Sequence, residues 1–242
     1  MPRTTETHVR SEACTAARRF DRRDALLALL AVASSGADVV SFLHLQQVLT
    51  SAMTGNTALL GLALGQGRFL DAFYSGFALL AYVLGVALAA RVLPLDPRRA
   101  LARALWVEAA FLAVFLGVYL WRGFPQQGGW LVCMIGCASV AMGMQSVAAR
   151  QIGREGIPTV VFTSTLTSIV LAMACPSRAQ DPLARVQAMR QLWVFGIYLL
   201  GAVAAGGLLL MAPALAVGMP LAAVLLGMAL AHRMSDFQRP AR

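Results

Sequence analysis

Residues 25–64 read ALLALLAVASSGADVVSFLHLQQVLTSAMTGNTALLGLAL, and their reading decides the fold. The first part, Ala25–Leu49, is apolar over enough residues to cross a hydrocarbon core of about 30 Å, which takes about 20 helical residues. The second part, Thr54–Leu64, is not: as a helix it reaches only about 17 Å. A short apolar segment directly after a full one either completes a second crossing or turns back to the side it came from. The distribution of charge along the rest of the chain separates these two outcomes.

Outside this stretch the chain stays apolar. Of its 242 residues 59% are hydrophobic and only 13% charged, against about half and about a quarter in ordinary soluble domains. Five further stretches are long enough to span: Phe73–Leu93, Leu101–Leu120, Gly129–Ala149, Leu192–Met211 and Leu215–Ala231. Thr163–Ala174 is a second short one. All 20 basic residues are Arg, set against 11 acidic ones, for a net charge of +9. With six crossings and the N-terminus inside, 18 Arg fall on the inner side and only Arg68 and Arg122 outside. If both short segments also cross, the division drops to 14 against 6. Cytoplasmic loops collect positive charge, so the six-crossing arrangement is favoured and both short segments become re-entrant half-helices. The Arg excess is then a topology signal, and a nucleic-acid surface is set aside. Trp106, Trp121, Trp130 and Trp193 all lie near span ends, at the headgroup level that suits an amphipathic ring.

The short segments repeat. Met53-Thr54-Gly55-Asn56 matches Phe162-Thr163-Ser164-Thr165 at an offset of 109, Gly36-Ala37-Asp38 matches Gly143-Met144-Gln145 at 107, and Tyr82-Val83-Leu84-Gly85 matches Tyr198-Leu199-Leu200-Gly201 at 116. Each half reads as span, re-entrant segment, span, span. Three crossings per half is odd, so the second copy enters the membrane from the opposite side, as in the inverted repeats of transporters. The expected fold is therefore all-α: six transmembrane helices plus two short re-entrant half-helices in a 3+3 inverted-topology repeat. Residues 1–24 form an Arg-rich, disordered cytoplasmic tail, 25–121 the first membrane repeat, 129–232 the second, and 233–242 a short cytoplasmic tail.

Non-helical backbone at membrane depth must line water or be buried in protein. Interrupted segments at matching places in two halves are the sequence mark of a central site. Thr54 and Thr163 are expected to act as N-caps, with Gly55, Asn56, Ser164 and Thr165 completing the two turns. Asn56 is the only Asn in the chain. Asp38 is the fourteenth residue of the first stretch, close to the bilayer centre. A carboxylate there costs about 3 kcal/mol on insertion scales and should face protein, water or a bound ion. Ser34 and Ser41 share its helix face, and its counterpart in the second half is the neutral Gln145. Asp38 reads either as an ion ligand or proton carrier, or as a structural carboxylate held by hydroxyls and free amides. Glu108, eight residues into its span, reads as a proton-carrying or a structural carboxyl. His44, Gln46 and Gln47 approach the outer end of the first span and are expected to meet interfacial water. Gly61 and Gly65 form a G-x-x-x-G that ordinarily marks close helix packing.

Enzyme chemistry is not expected. With no Lys in the chain, a Walker A loop and Schiff-base chemistry are excluded. Ser35 and His232 would lie at different depths, so they cannot share a proton, and an aspartyl protease needs a second carboxylate at the depth of Asp38. Cys133 and Cys137 share a helix face but lack further ligands, so no metal or cofactor is implied. An N-terminal export leader at Arg22-Arg23 is a weaker alternative, because the apolar stretch runs well past its cleavage site.

Several of these pieces carry a resemblance. Ser35-Gly36-Ala37-Asp38, Ser41-Phe42-Leu43 and Met53-Thr54-Gly55-Asn56, followed by Leu60-Gly61-Leu62-Ala63, resemble the YoaK family of bacterial membrane proteins of unknown function. Met142-Gly143-Met144-Gln145, the Thr163 to Thr167 stretch and Glu108 fit the same pattern, over about residues 24–232. Ser164 stands where Gly is usual, and Ser146 where Asn is common. The resemblance implies a bacterial inner membrane and names no substrate. The function expected from the residues is transport or conduction of a small solute or ion, with the lipid bilayer as partner. The alternative is a non-transporting membrane scaffold or stress-response protein whose buried polar groups only hold the fold.

Overall fold

The structure is a computed structural model that describes residues 21–92, 97–124, 127–152, 166–167, 169–171, 174 and 182–237. Helix is its regular structure throughout, joined by short non-helical segments. The principal elements are α1 (Arg22–His44), α2 (Met53–Gly65), α3 (Phe69–Val92), α4 (Pro97–Arg122), α5 (Gly128–Gln151), α6 (Pro182–Met211) and α7 (Pro213–Phe237). All except α2 are long and apolar enough to cross a membrane, with mean hydropathy between 1.7 and 2.2 over their best windows. Leu80 at 71% exposure, Leu200 at 65% and Leu210 at 89% make sense only with lipid as the solvent. Trp121 and Trp130 meet edge to face across the α4–α5 turn, with centroids 5.1 Å apart, and Arg122 lies beside both rings.

The ends of α1 differ from the sequence expectation at both sides. The helix starts within the stretch assigned to the tail, because Asp21 accepts from the N–H groups of Arg23 and Asp24 while Asp24 accepts from the Asp21 N–H. This reciprocal capping box satisfies otherwise orphaned donors. The helix ends at His44 rather than at Leu49. Gln46 and Gln47 both take left-handed φ angles, 59° and 58°, which reverse the chain at a cost of about 1–2 kcal/mol each for residues with a Cβ. Residues 45–52 are a non-helical loop, and α2 then runs for 13 residues. The close packing expected at Gly61 and Gly65 does not occur among the described residues: a Cβ on either would meet none of their atoms within 4 Å.

Helix directions follow from the contacts. Gln145 on α5 donates to the Leu30 carbonyl of α1. The early part of α1, Leu26 to Ala37, shares a core with Ala141 to Ile152, and its late end shares one with Leu131 to Ala138. Thus α1 and α5 are antiparallel. A Cβ placed on Gly218 of α7 would lie 3.9 Å from the Leu116 side chain of α4, and the early part of α4 clusters with the late part of α7, so this pair is antiparallel too. By contrast, α6 runs parallel to α1, with Arg190 beside Asp24 and Gly201 against Ser35. Likewise α3 runs parallel to α5, with Phe77 against Gly136 and Gly85 against Val140. Two thirds of the apolar windows of α1 and α5 are buried, against 22–39% for the other four. These two helices form the centre.

Candidate functional site

The site is built where α1 breaks. After the reversal at Gln46 and Gln47, the loop runs back along α1 until Thr50 and Ser51 stand beside Asp38, six residues or about 9 Å below the helix end. Asp38 is 3% exposed. Its Oδ1 accepts from the Thr50 N–H at 2.8 Å, the Ser51 N–H at 2.7 Å and the Thr50 hydroxyl at 3.2 Å. Its Oδ2 accepts from the Ser51 hydroxyl and from the Tyr198 hydroxyl of α6 at 2.9 Å. A carboxylate offers about four lone-pair sites; five donors leave none vacant. Two of the five are main-chain N–H groups of a non-helical loop, which at this depth would otherwise be costly orphans. Asp38 therefore acts as the loop's internal anchor, and all five of its contacts are with donors of the chain itself.

The Met53-Thr54-Gly55-Asn56 motif serves the same loop. Asn56 is fully buried and pairs side chain to main chain with both polar groups of one residue: its Oδ1 accepts from the Leu49 N–H at 2.9 Å, and its Nδ2 donates to the Leu49 carbonyl. Gly55 makes room for that residue, since a Cβ there would collide with the Leu49 side chain. The expected role of Thr54 is corrected. The N-cap of α2 is Ala52, no side chain caps the helix, and Thr54 points outward. The main chain already turns tightly there, with the Gly55 and Asn56 N–H groups bonded to the Ala52 carbonyl.

The other sequence candidates separate into bonded and unbonded groups. Ser34 does not reach Asp38; its hydroxyl donates to the Leu30 and Ala31 carbonyls of its own helix. Gln145 ties α5 to α1 at Leu30, at 2.8 Å, while its Oε1 has no partner among the described residues. The Ser41 and Ser139 hydroxyls are buried and unpartnered among the described residues. So are both oxygens of Glu108, whose residue has no solvent exposure. Its neighbours along α4, Leu105, Ala109 and Leu112, belong to the central apolar core. Thr163, Ser164 and Thr165 lie outside the described residues.

Sequence reading missed three groups. Thr50 and Ser51, the main partners of Asp38, were legible only as small hydroxyl residues just before the Thr-Gly-Asn motif. Tyr198 was visible as a repeat match with Tyr82, but nothing local marked its hydroxyl as a ligand of Asp38. The third is the buried pair Asp24–Arg190, 3.5 Å apart with side chains 2% and 7% exposed. It joins the starts of α1 and α6.

Comparison with known proteins adds a family. A family model described as "Protein of unknown function (DUF1275)" matches residues 26–231. The UPF0700 transmembrane protein YoaK of Bacillus subtilis (strain 168) is 36% identical over 153 residues, covering 61% of this chain and 66%, just under two thirds, of that relative. No solved structure matches. With six apolar helices of spanning length and the family match running through all of them, the chain is a multi-pass membrane protein and belongs to the DUF1275 family of proteins of unknown function.

Proposed function

We propose that the protein is a small-solute transporter or channel of the bacterial inner membrane, built as a 3+3 inverted repeat with both termini cytoplasmic. The observation that carries this reading is the set of buried polar atoms on α1, α4 and α5 that have no partner among the described residues: the Ser41 hydroxyl, both oxygens of Glu108, the Ser139 hydroxyl and Gln145 Oε1. Each buried orphan costs about 1–3 kcal/mol. A solute, ion or water passing between the halves is what such groups would bind. Asp38, with every lone pair used, shapes the site without ligating. Thr163, Ser164 and Thr165, outside the described residues, are proposed as its counterpart from the other half.

The packing supports inversion. Exchanging α1 with α5, α3 with α6 and α4 with α7 turns each observed pairing among the six long helices into another of the same sense. The parallel pair α3–α5 becomes α6–α1, and the antiparallel pairs α1–α5 and α4–α7 map onto themselves. A two-fold axis in the membrane plane has this effect. The antiparallel sense of α1 and α5 also supports six crossings, since a crossing by α2 would make them parallel. On this reading α2 is re-entrant: the loop descends to Asp38 and α2 climbs back to the side where α1 ended.

A second reading, a non-transporting scaffold, draws on the saturation of Asp38, whose five donors all come from the chain itself. Flux separates the two. Purified protein in liposomes loaded with a pH-indicator dye is challenged with panels of small organic acids, amines and amino acids. Movement above protein-free liposomes, reduced at least tenfold by Glu108→Gln, supports transport. A folded protein that moves no compound, or a Glu108→Gln variant as active as the native chain, supports the scaffold.

A further inference from the structure

The loop that Asp38 and Asn56 hold has a second limb, and it faces a cavity. Above the anchored residues, Gln46 and Gln47 form one wall of a space of about 130 Å³. Leu59 and Ala63 of α2 form the apolar side. Arg68, Asp71 and Ser75 close it from the α2–α3 turn and the start of α3. Arg68 and Asp71 are themselves paired at 3.2 Å, with side chains 49% and 37% exposed. The cavity thus presents one cation, one anion, two amides and a short apolar surface.

The backbone at this wall is informative. Positions 46 and 47 both sit at positive φ, where Gly is the low-cost residue. Two consecutive Gln at such positions mean that a chain reversal is made at a conformational cost, with two amide side chains gained for it. Strain of this kind collects at binding sites, where the surrounding structure over-determines it. Here the over-determination is visible: the next residues are fixed by Asn56 at Leu49 and by Asp38 at Thr50 and Ser51.

We propose that this cavity binds a small zwitterion of the size of a short α-amino acid. Net charge inside is zero, which selects against a simple cation or anion. The carboxylate of the ligand pairs with the Arg68 guanidinium and its ammonium with Asp71, so the ligand inserts into the existing ion pair. The Gln46 and Gln47 amides supply both donors and acceptors. Leu59 and Ala63 accommodate a methyl-sized side chain. The volume holds about four waters or a molecule of roughly six heavy atoms, the size of alanine.

The test uses the full-length protein in detergent, so it does not depend on transport, and a failed flux assay leaves it intact. Thermal unfolding is followed with L-alanine, with lactate (hydroxyl in place of the amine) and with L-alaninol (alcohol in place of the carboxylate). The expected result is a midpoint that rises with millimolar L-alanine and not with either analogue. The double variant Gln46→Gly/Gln47→Gly should unfold at a higher temperature without ligand, because its strain is relieved, yet bind L-alanine at least tenfold more weakly. Asp71→Asn, at the partly exposed start of α3, should weaken L-alanine in the same way while leaving the unliganded midpoint within a degree or two. No L-alanine shift in the native protein overturns the proposal. So do equal shifts from lactate, or from alaninol, and so does full L-alanine binding by either variant.

Discussion

Replacing Asp38 by Ala and by Asn tests whether this carboxylate is the loop's anchor. Ala removes all five acceptor contacts at once. The Thr50 and Ser51 N–H groups, in residues 0% and 2% exposed, then have no acceptor, at about 1–3 kcal/mol each. The Thr50, Ser51 and Tyr198 hydroxyls can rotate toward other acceptors, so they add less. The expected loss is about 3–5 kcal/mol, at the upper end of single substitutions. Asn behaves differently. Its Oδ1 can keep the three bonds from Thr50 and Ser51, and its amide can donate to the Ser51 and Tyr198 hydroxyls, which also accept. It loses mainly charge assistance, about 1–2 kcal/mol in total. The assay is unfolding by SDS in mixed micelles, followed through tryptophan fluorescence. An Ala variant within about 0.5 kcal/mol of the native protein would refute the anchor. An Asn variant as damaged as the Ala variant would show that net charge, and not the bonding geometry, carries the effect.

Three other substitutions probe separate parts of the structure. Asn56→Leu keeps the volume but strips the main-chain N–H and carbonyl of Leu49 of their side-chain partner, so it should cost about 2–4 kcal/mol in the same SDS titration. Gly143→Ala drives a Cβ into the Tyr82 carbonyl and should cost about 1–3 kcal/mol through overpacking of two rigid backbones; a neutral result would mean that α3 and α5 are not in close contact. Removing either partner of the buried Asp24–Arg190 pair, by Asp24→Asn or Arg190→Gln, should cost about 3–5 kcal/mol, and the double variant should recover a substantial part of that sum.

Much of the fold was legible because lipid imposes strong patterns. Apolar length marked the six long helices to within a few residues at most ends. The end of the first helix was misread for a physical reason. Leu45, Val48 and Leu49 continue the apolar stretch, and hydropathy does not register that Gln46 and Gln47 adopt left-handed backbone angles. The site was half legible. Asp38 and Asn56 stand out as a lone carboxylate and a lone Asn in apolar sequence, but their partners do not. Thr50 and Ser51 look like any loop, and Tyr198 lies 160 residues from Asp38. Pairing between halves is a tertiary outcome with no local signature. Thr54 was misassigned as a cap because its residue type suits the role, while the Ala52 carbonyl already takes the N–H groups that a cap would satisfy.

The central claim is that the first short helix leaves the membrane on the side where α1 arrived, with three crossings in each half. Single cysteines at Gln66, Arg99 and Gln127, in a chain lacking Cys14, Cys133, Cys137 and Cys175, test it directly. They are labelled in spheroplasts with a membrane-impermeant maleimide before and after lysis. Residues 66 and 127 should react in intact spheroplasts, and residue 99 only after lysis. Labelling of residue 99 from outside, with residue 66 protected, would mean that α2 crosses the membrane, and the inverted six-crossing account would fail.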